Sequence, residues 1–163
     1  MFSKIFLIET FIFLIFAIPL SIMDVKKLRI SLFYTFLGMA AFFVFRIFYF
    51  SSIDSFASFF YQMKICAVSV FSAALALFLT RIFSGGGLGI GDIIFGMFSA
   101  LYSIVWWKNL AALFFAALLG VIFYLLLAVF YKIRKSEILH PVFAIPFVPF
   151  ISAGAILARI FFG

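Results

Sequence analysis

Charge is scarce in this chain: five acids and twelve bases are spread over 163 residues, with a single histidine and a single cysteine. One cysteine excludes an intramolecular disulfide and any four-cysteine zinc site, and Cys66 lies inside an apolar run that makes it a packing residue. The chain also has no H-E-x-x-H helix, no G-x-S-x-G elbow and no His/Cys cluster, so the usual zinc and serine hydrolase patterns are absent. Only four prolines interrupt it.

What remains is hydrocarbon. The sequence is 69% apolar with a mean hydropathy of +1.40, whereas soluble domains are roughly half apolar and about a quarter charged. Long unbroken apolar runs, rather than ~10-residue alternating segments, select helices over a barrel. The expectation is all-α: one domain over residues 1–163, a polytopic helix bundle in the lipid bilayer with about six transmembrane helices. The runs are Ile5 to Met23, about Ile30 to Phe50, about Ser58 to Leu79, about Leu88 to Trp107, Leu110 to Tyr131, and from after His140-Pro141 to Phe162. The first run is too long for a signal-peptide core, and no A-x-A-like site follows it.

A net charge of +7 would suggest nucleic acid in a soluble protein, but here the bases sit between apolar spans and no nucleic-acid partner is expected. They carry topology instead. The loops after runs one, three and five hold seven bases (Lys26, Lys27, Arg29, Arg81, Lys132, Arg134, Lys135), against five on the other side (Lys4, Arg46, Lys64, Lys108, Arg159). That bias predicts both termini outside, with Asp24, the glycine-rich loop and His140 at the cytoplasmic face.

The five acids divide into two groups. Asp54 and Glu137 fall in loops and Glu9 near the outer interface, where solvation explains them, whereas Asp24 and Asp92 stand at the same end of two different spans. Ionisable groups at such depth tend to face a cavity or one another. Two carboxylates brought together share a proton, leaving one acid and one base, which can activate water and protonate a carbonyl without a metal or cofactor. Asp92 follows Ser84-Gly85-Gly86-Gly87-Leu88-Gly89-Ile90-Gly91. Those glycines suit either a close-approaching peptide backbone or a flexible loop with a helix-capping aspartate.

Three patches together resemble the type IV prepilin peptidases and archaeal preflagellin peptidases, polytopic aspartic endopeptidases of the G-x-G-D kind. They are Asp24-Val25-Lys26-Lys27-Leu28-Arg29-Ile30, Gly86-Gly87-Leu88-Gly89-Ile90-Gly91-Asp92-Ile93, and Ile145-Pro146-Phe147-Val148-Pro149-Phe150-Ile151-Ser152-Ala153-Gly154-Ala155. The resemblance implies a catalytic pair, Asp24 and Asp92, with Gly86, Gly87, Gly89 and Gly91 admitting substrate and Pro146, Phe147 and Pro149 shaping the site. It implies removal of a basic leader from prepilin-like or preflagellin-like precursors at the cytoplasmic boundary of the inner membrane. The chain departs from the family pattern at Ser31, Ile94 and Val148, and lacks the cysteine-containing region of larger, methylating members, so it resembles the short peptidase-only form. Rival readings are a non-catalytic pilus or secretion assembly factor, a small proton-coupled transporter, and a presenilin or signal-peptide-peptidase type protease, whose P-A-L motif is absent.

Overall fold

The computed structural model describes residues 4–53, 56–133 and 145–162. Asp54, Arg134, Lys135, Glu137, His140 and Pro141, which figure in the expectations above, lie outside them. The described residues form six helices: α1 (Lys4–Lys27), α2 (Leu32–Ile53), α3 (Phe56–Phe83), α4 (Ile90–Ser103), α5 (Trp106–Ile133) and α6 (Val148–Phe162). Four of them, α1, α2, α3 and α5, are long and apolar enough to cross a membrane. Helices α4 and α6 have 14 and 15 residues, and at 1.5 Å per residue reach only ~21 to 23 Å against a ~30 Å hydrocarbon core.

The shortest helix holds the middle. Helices α1, α2, α3, α5 and α6 contact one another in a closed ring in that order, and α4 contacts all five. Accordingly α4 buries Phe95, Phe98, Ala100 and Tyr102 completely, while the ring helices turn residues such as Phe11, Ile15, Phe33, Phe71 and Leu126 outward. Phe13 of α1 stacks on Tyr102 with ring centroids 4.4 Å apart and on Phe98 at 5.3 Å, which fixes α1 against the central helix. Small residues bring α6 onto α5: a methyl group at Gly154 would collide with the Ala112 carbonyl oxygen and stand 2.8 Å from the Ala116 nitrogen.

Helix boundaries have local causes. Lys26 and Lys27 complement the dipole at the end of α1, and Leu28 then turns into the left-handed region (φ 50°) with its N–H on the Asp24 carbonyl. Ser31 starts α2: its hydroxyl accepts the Tyr34 N–H at 3.4 Å and its carbonyl accepts the Thr35 N–H. Trp106 and Trp107, expected to close the fourth run, instead open α5, because Ile104 (φ 65°) ends α4.

Glu9 is a correction. Expected near the interface, it is 3% exposed, with one carboxylate oxygen accepting Arg46 Nη2 at 3.2 Å and the other paired to Arg159 Nη2. Arg46 also donates to the Leu101 carbonyl and the Cys66 sulfur, and Arg159 to the Tyr102 carbonyl. Two guanidinium groups from distant helices hold this carboxylate away from water, a convergence that spacing along one helix cannot reveal.

Candidate active site

Asp24 occupies the last turn of α1 and is 5% exposed. Its Oδ2 accepts the N–H of Val148, the first residue of α6, at 3.0 Å, and the Phe147 amide also reaches this carboxylate. The first N–H groups of any helix lack partners within it. Phe147, whose carbonyl starts the α6 ladder, has no side-chain oxygen to supply one, and the Asp24 carboxylate caps α6 from another helix. Pro149, in the first turn, gives up an N–H that no intrahelical bond needs, and Pro146 limits the backbone of the approach.

Asp92 is the third residue of α4. Its Oδ2 accepts the N–H of Gly89, the residue before the helix, at 3.0 Å, the carboxylate half of a capping box. Burial, and after it the charge of Asp24, pushes the Asp92 carboxyl up from the usual 3.8 to about 6, while the Gly89 N–H pulls it down. The charge of Asp24 is therefore felt at Asp92.

Both open into one cleft of about 400 Å³ at the end of the bundle, walled by Leu28, Arg29, Ile30 and Leu32 on one side and Gly89, Ile90 and Gly91 on the other. The glycines let the two walls pack closely. A methyl on Gly91 would lie 3.1 Å from the branched Cβ of Ile30, and one on Gly89 3.1 Å from Asp92 Oδ2.

The remaining residues singled out from sequence lie around this cleft rather than in it. Gly86 (φ 90°), with Gly85 (φ 62°), makes the tight turn after α3, closed by Gly86 N–H on the Arg81 carbonyl at 2.9 Å. A methyl on Gly87 would meet Ser84 first, at 3.5 Å, and its φ is ordinary. Pro146 and Phe147 act through the chain path that brings amides to Asp24, and the Phe147 ring packs on the core. Pro149 faces a separate outer groove with Phe123, Leu126 and Phe150. Sequence reasoning missed Val148 as a donor to Asp24, since a backbone N–H carries no residue signature, and Arg81, whose guanidinium donates to the Leu88 carbonyl. Arg29, read from sequence as topogenic with substrate binding as the alternative, lines the cleft.

Two carboxylates share one cleft, and with Asp92 pushed up to about 6 its carboxyl exchanges a proton just below neutrality, as one member of an acid–base pair must. Among the described residues no group of three or more His, Cys, Asp or Glu side chains is placed to hold a metal ion. No protein-family model, curated protein or solved structure matches the chain.

Proposed function

We propose that this membrane protein is an aspartic endopeptidase in which Asp24 and Asp92 form the catalytic dyad. The observation that carries the reading is the shared cleft: two acids 68 positions apart in a chain with five of them line the same opening, where the charge of Asp24 helps to raise the Asp92 carboxyl. One carboxylate takes a proton from a water molecule, and the other delivers its proton to the scissile carbonyl oxygen. The resulting tetrahedral diol collapses as the protonated carboxyl gives its proton to the leaving amine and a diol hydroxyl gives one to the ionised partner, which leaves the pair with one shared proton. Gly89 is exposed and lines the cleft with Gly91, so backbone without a side chain faces the opening where an extended substrate strand would lie beside Asp92.

The substrate class follows from the setting and from the three motif patches. A cleft at the end of an apolar bundle suits a chain that leaves the bilayer there, and the motifs resemble those of enzymes that remove basic leaders from prepilin-like or preflagellin-like precursors. The excess of bases on the Asp24 side orients the cleft toward the cytoplasm in the inner membrane.

Co-expression with a prepilin-like precursor from the same genome tests this. Asp24→Asn and Asp92→Asn should each slow shortening of the precursor by at least ~100-fold, the usual scale of a lost acid or base. Wild-type cleavage by either variant sinks the dyad.

A further inference from the structure

The peptide unit between Leu88 and Gly89 is gripped at both ends. Its carbonyl oxygen accepts a hydrogen bond from Arg81 Nη1, and its N–H donates to Asp92 Oδ2 at 3.0 Å. Carbonyl and amide of one peptide group share a resonance system, so a cation drawing electron density to the oxygen makes the N–H a stronger donor, as linked hydrogen bonds polarise one another.

We propose that Arg81 is a positioning residue for Asp92, acting through this single peptide unit: it fixes the exit of the glycine turn and strengthens the amide that orients and stabilises the Asp92 carboxylate. The turn is built for that grip. The Gly86 N–H bonds the Arg81 carbonyl at 2.9 Å and the Ser84 hydroxyl donates to the same carbonyl at 3.2 Å, so the residue whose side chain reaches forward to Leu88 also has its backbone fixed by the loop it spans. The left-handed Gly85 and Gly86 give the reversal that brings Leu88 back under the α3 terminus.

The other charged groups lining the cleft with Asp92 are Asp24 from α1 and Arg29 from the α1–α2 connection; α2 contributes only Leu32 to it, and α3, α5 and α6 contribute no lining residue. Asp24 opposes ionisation of Asp92. A second cation that does not occupy the cleft keeps the carboxylate available as a base without taking space from substrate.

As a catalytic device this rests on the dyad reading, so the test reads the Asp92 carboxyl itself. Its titration is followed by isotope-edited infrared spectroscopy of the full chain in detergent, with Asp92→Asn identifying the band. Arg81→Met should move the Asp92 midpoint upward by roughly a few tenths of a pH unit, the scale of a hydrogen bond weakened by about 10 to 30%. Arg81→Gln, which keeps a donor but no charge, should move it upward by less, and Arg81→Lys should stay nearer the wild type than Arg81→Gln. Should the methionine variant not fold, the glutamine and lysine variants decide. Midpoints unchanged in both uncharged variants, or a lysine variant shifted as far as the glutamine one, overturn the relay. If cleavage survives Asp92→Asn while the Arg81 variants still shift the band, the peptidase reading fails and the relay stands.

Discussion

Asp92 carries a stability signature that is independent of any substrate. Its carboxyl binds a proton more tightly in the folded protein, at about 6, than at the usual 3.8. Below pH ~4 both states are protonated and Asp92 costs nothing; as pH rises from ~4 to ~6 the unfolded state ionises first and folding stability falls. Asp92→Asn should therefore flatten this part of the stability profile and raise the unfolding temperature in detergent above pH 6. Asp24→Asn, which removes the neighbouring charge, should lower the Asp92 midpoint and shrink the same slope. An Asp92→Asn protein no more stable than wild type at pH 7 contradicts an unfavourably buried carboxylate.

At the scale of elements, glycines separate by what their neighbours demand. Gly91→Ala pushes a methyl against Ile30, at the point where the α1–α2 connection meets α4, so it should widen the cleft and cut precursor cleavage at least ~10-fold. Gly87→Ala, with an ordinary φ and Ser84 as its nearest neighbour, should leave cleavage within about twofold, and Gly154→Ala should destabilise the α5–α6 contact by roughly 1 to 3 kcal/mol, the usual cost of overpacking. Cleavage assays beside unfolding curves check all three. Gly87 losing as much activity as Gly91 counters the steric account.

The same glycines mark how far sequence reaches. Six apolar runs were legible because hydrocarbon demands them, and the pairing of Asp24 with Asp92 followed from counting spans between two rare acids. The end of α4 was not legible: Ile104 turns the chain at φ 65° and ψ −57°, with the Val105 N–H on the Ser103 carbonyl at 2.8 Å, a γ-turn that no glycine or asparagine announces, so the sequence reads the tryptophans on the wrong side of it. Nor was the grip of α6 on Asp24, because the prolines advertise a turn while the groups that reach the carboxylate are the backbone amides of Phe147 and Val148. Ser31 is a milder case. It departs from the motif yet supplies the hydroxyl that starts α2, and Ser31→Ala should cost about 1 kcal/mol by loss of that cap.

For the whole molecule, the cleft lies at one end of the bundle and a buried ionic cluster at the other. Glu9 of α1 is bound by Arg46 of α2 and Arg159 of α6, and the two arginines also take the carbonyls of Leu101 and Tyr102 near the end of α4. With Cys66 of α3, which also accepts from Arg46, five helices are tied at the end away from Asp24 and Asp92. Pairing inside the bundle offsets the desolvation of these charges only while the set is complete, and removing one member typically costs about 3 to 5 kcal/mol. Glu9→Gln strands two guanidinium groups and should lower stability in detergent by that order. Combining Glu9→Gln with Arg46→Met should cost at least ~1 kcal/mol less than the sum of the single changes, since the second change removes a charge the first has left unpaired. The Asp92 titration should be unmoved by either, because the cluster and the cleft share no side chain. Additive losses would mean that Arg46 is held by Leu101 and Cys66 rather than by Glu9. A shifted Asp92 midpoint would instead mean that the two ends of α4 respond as one unit.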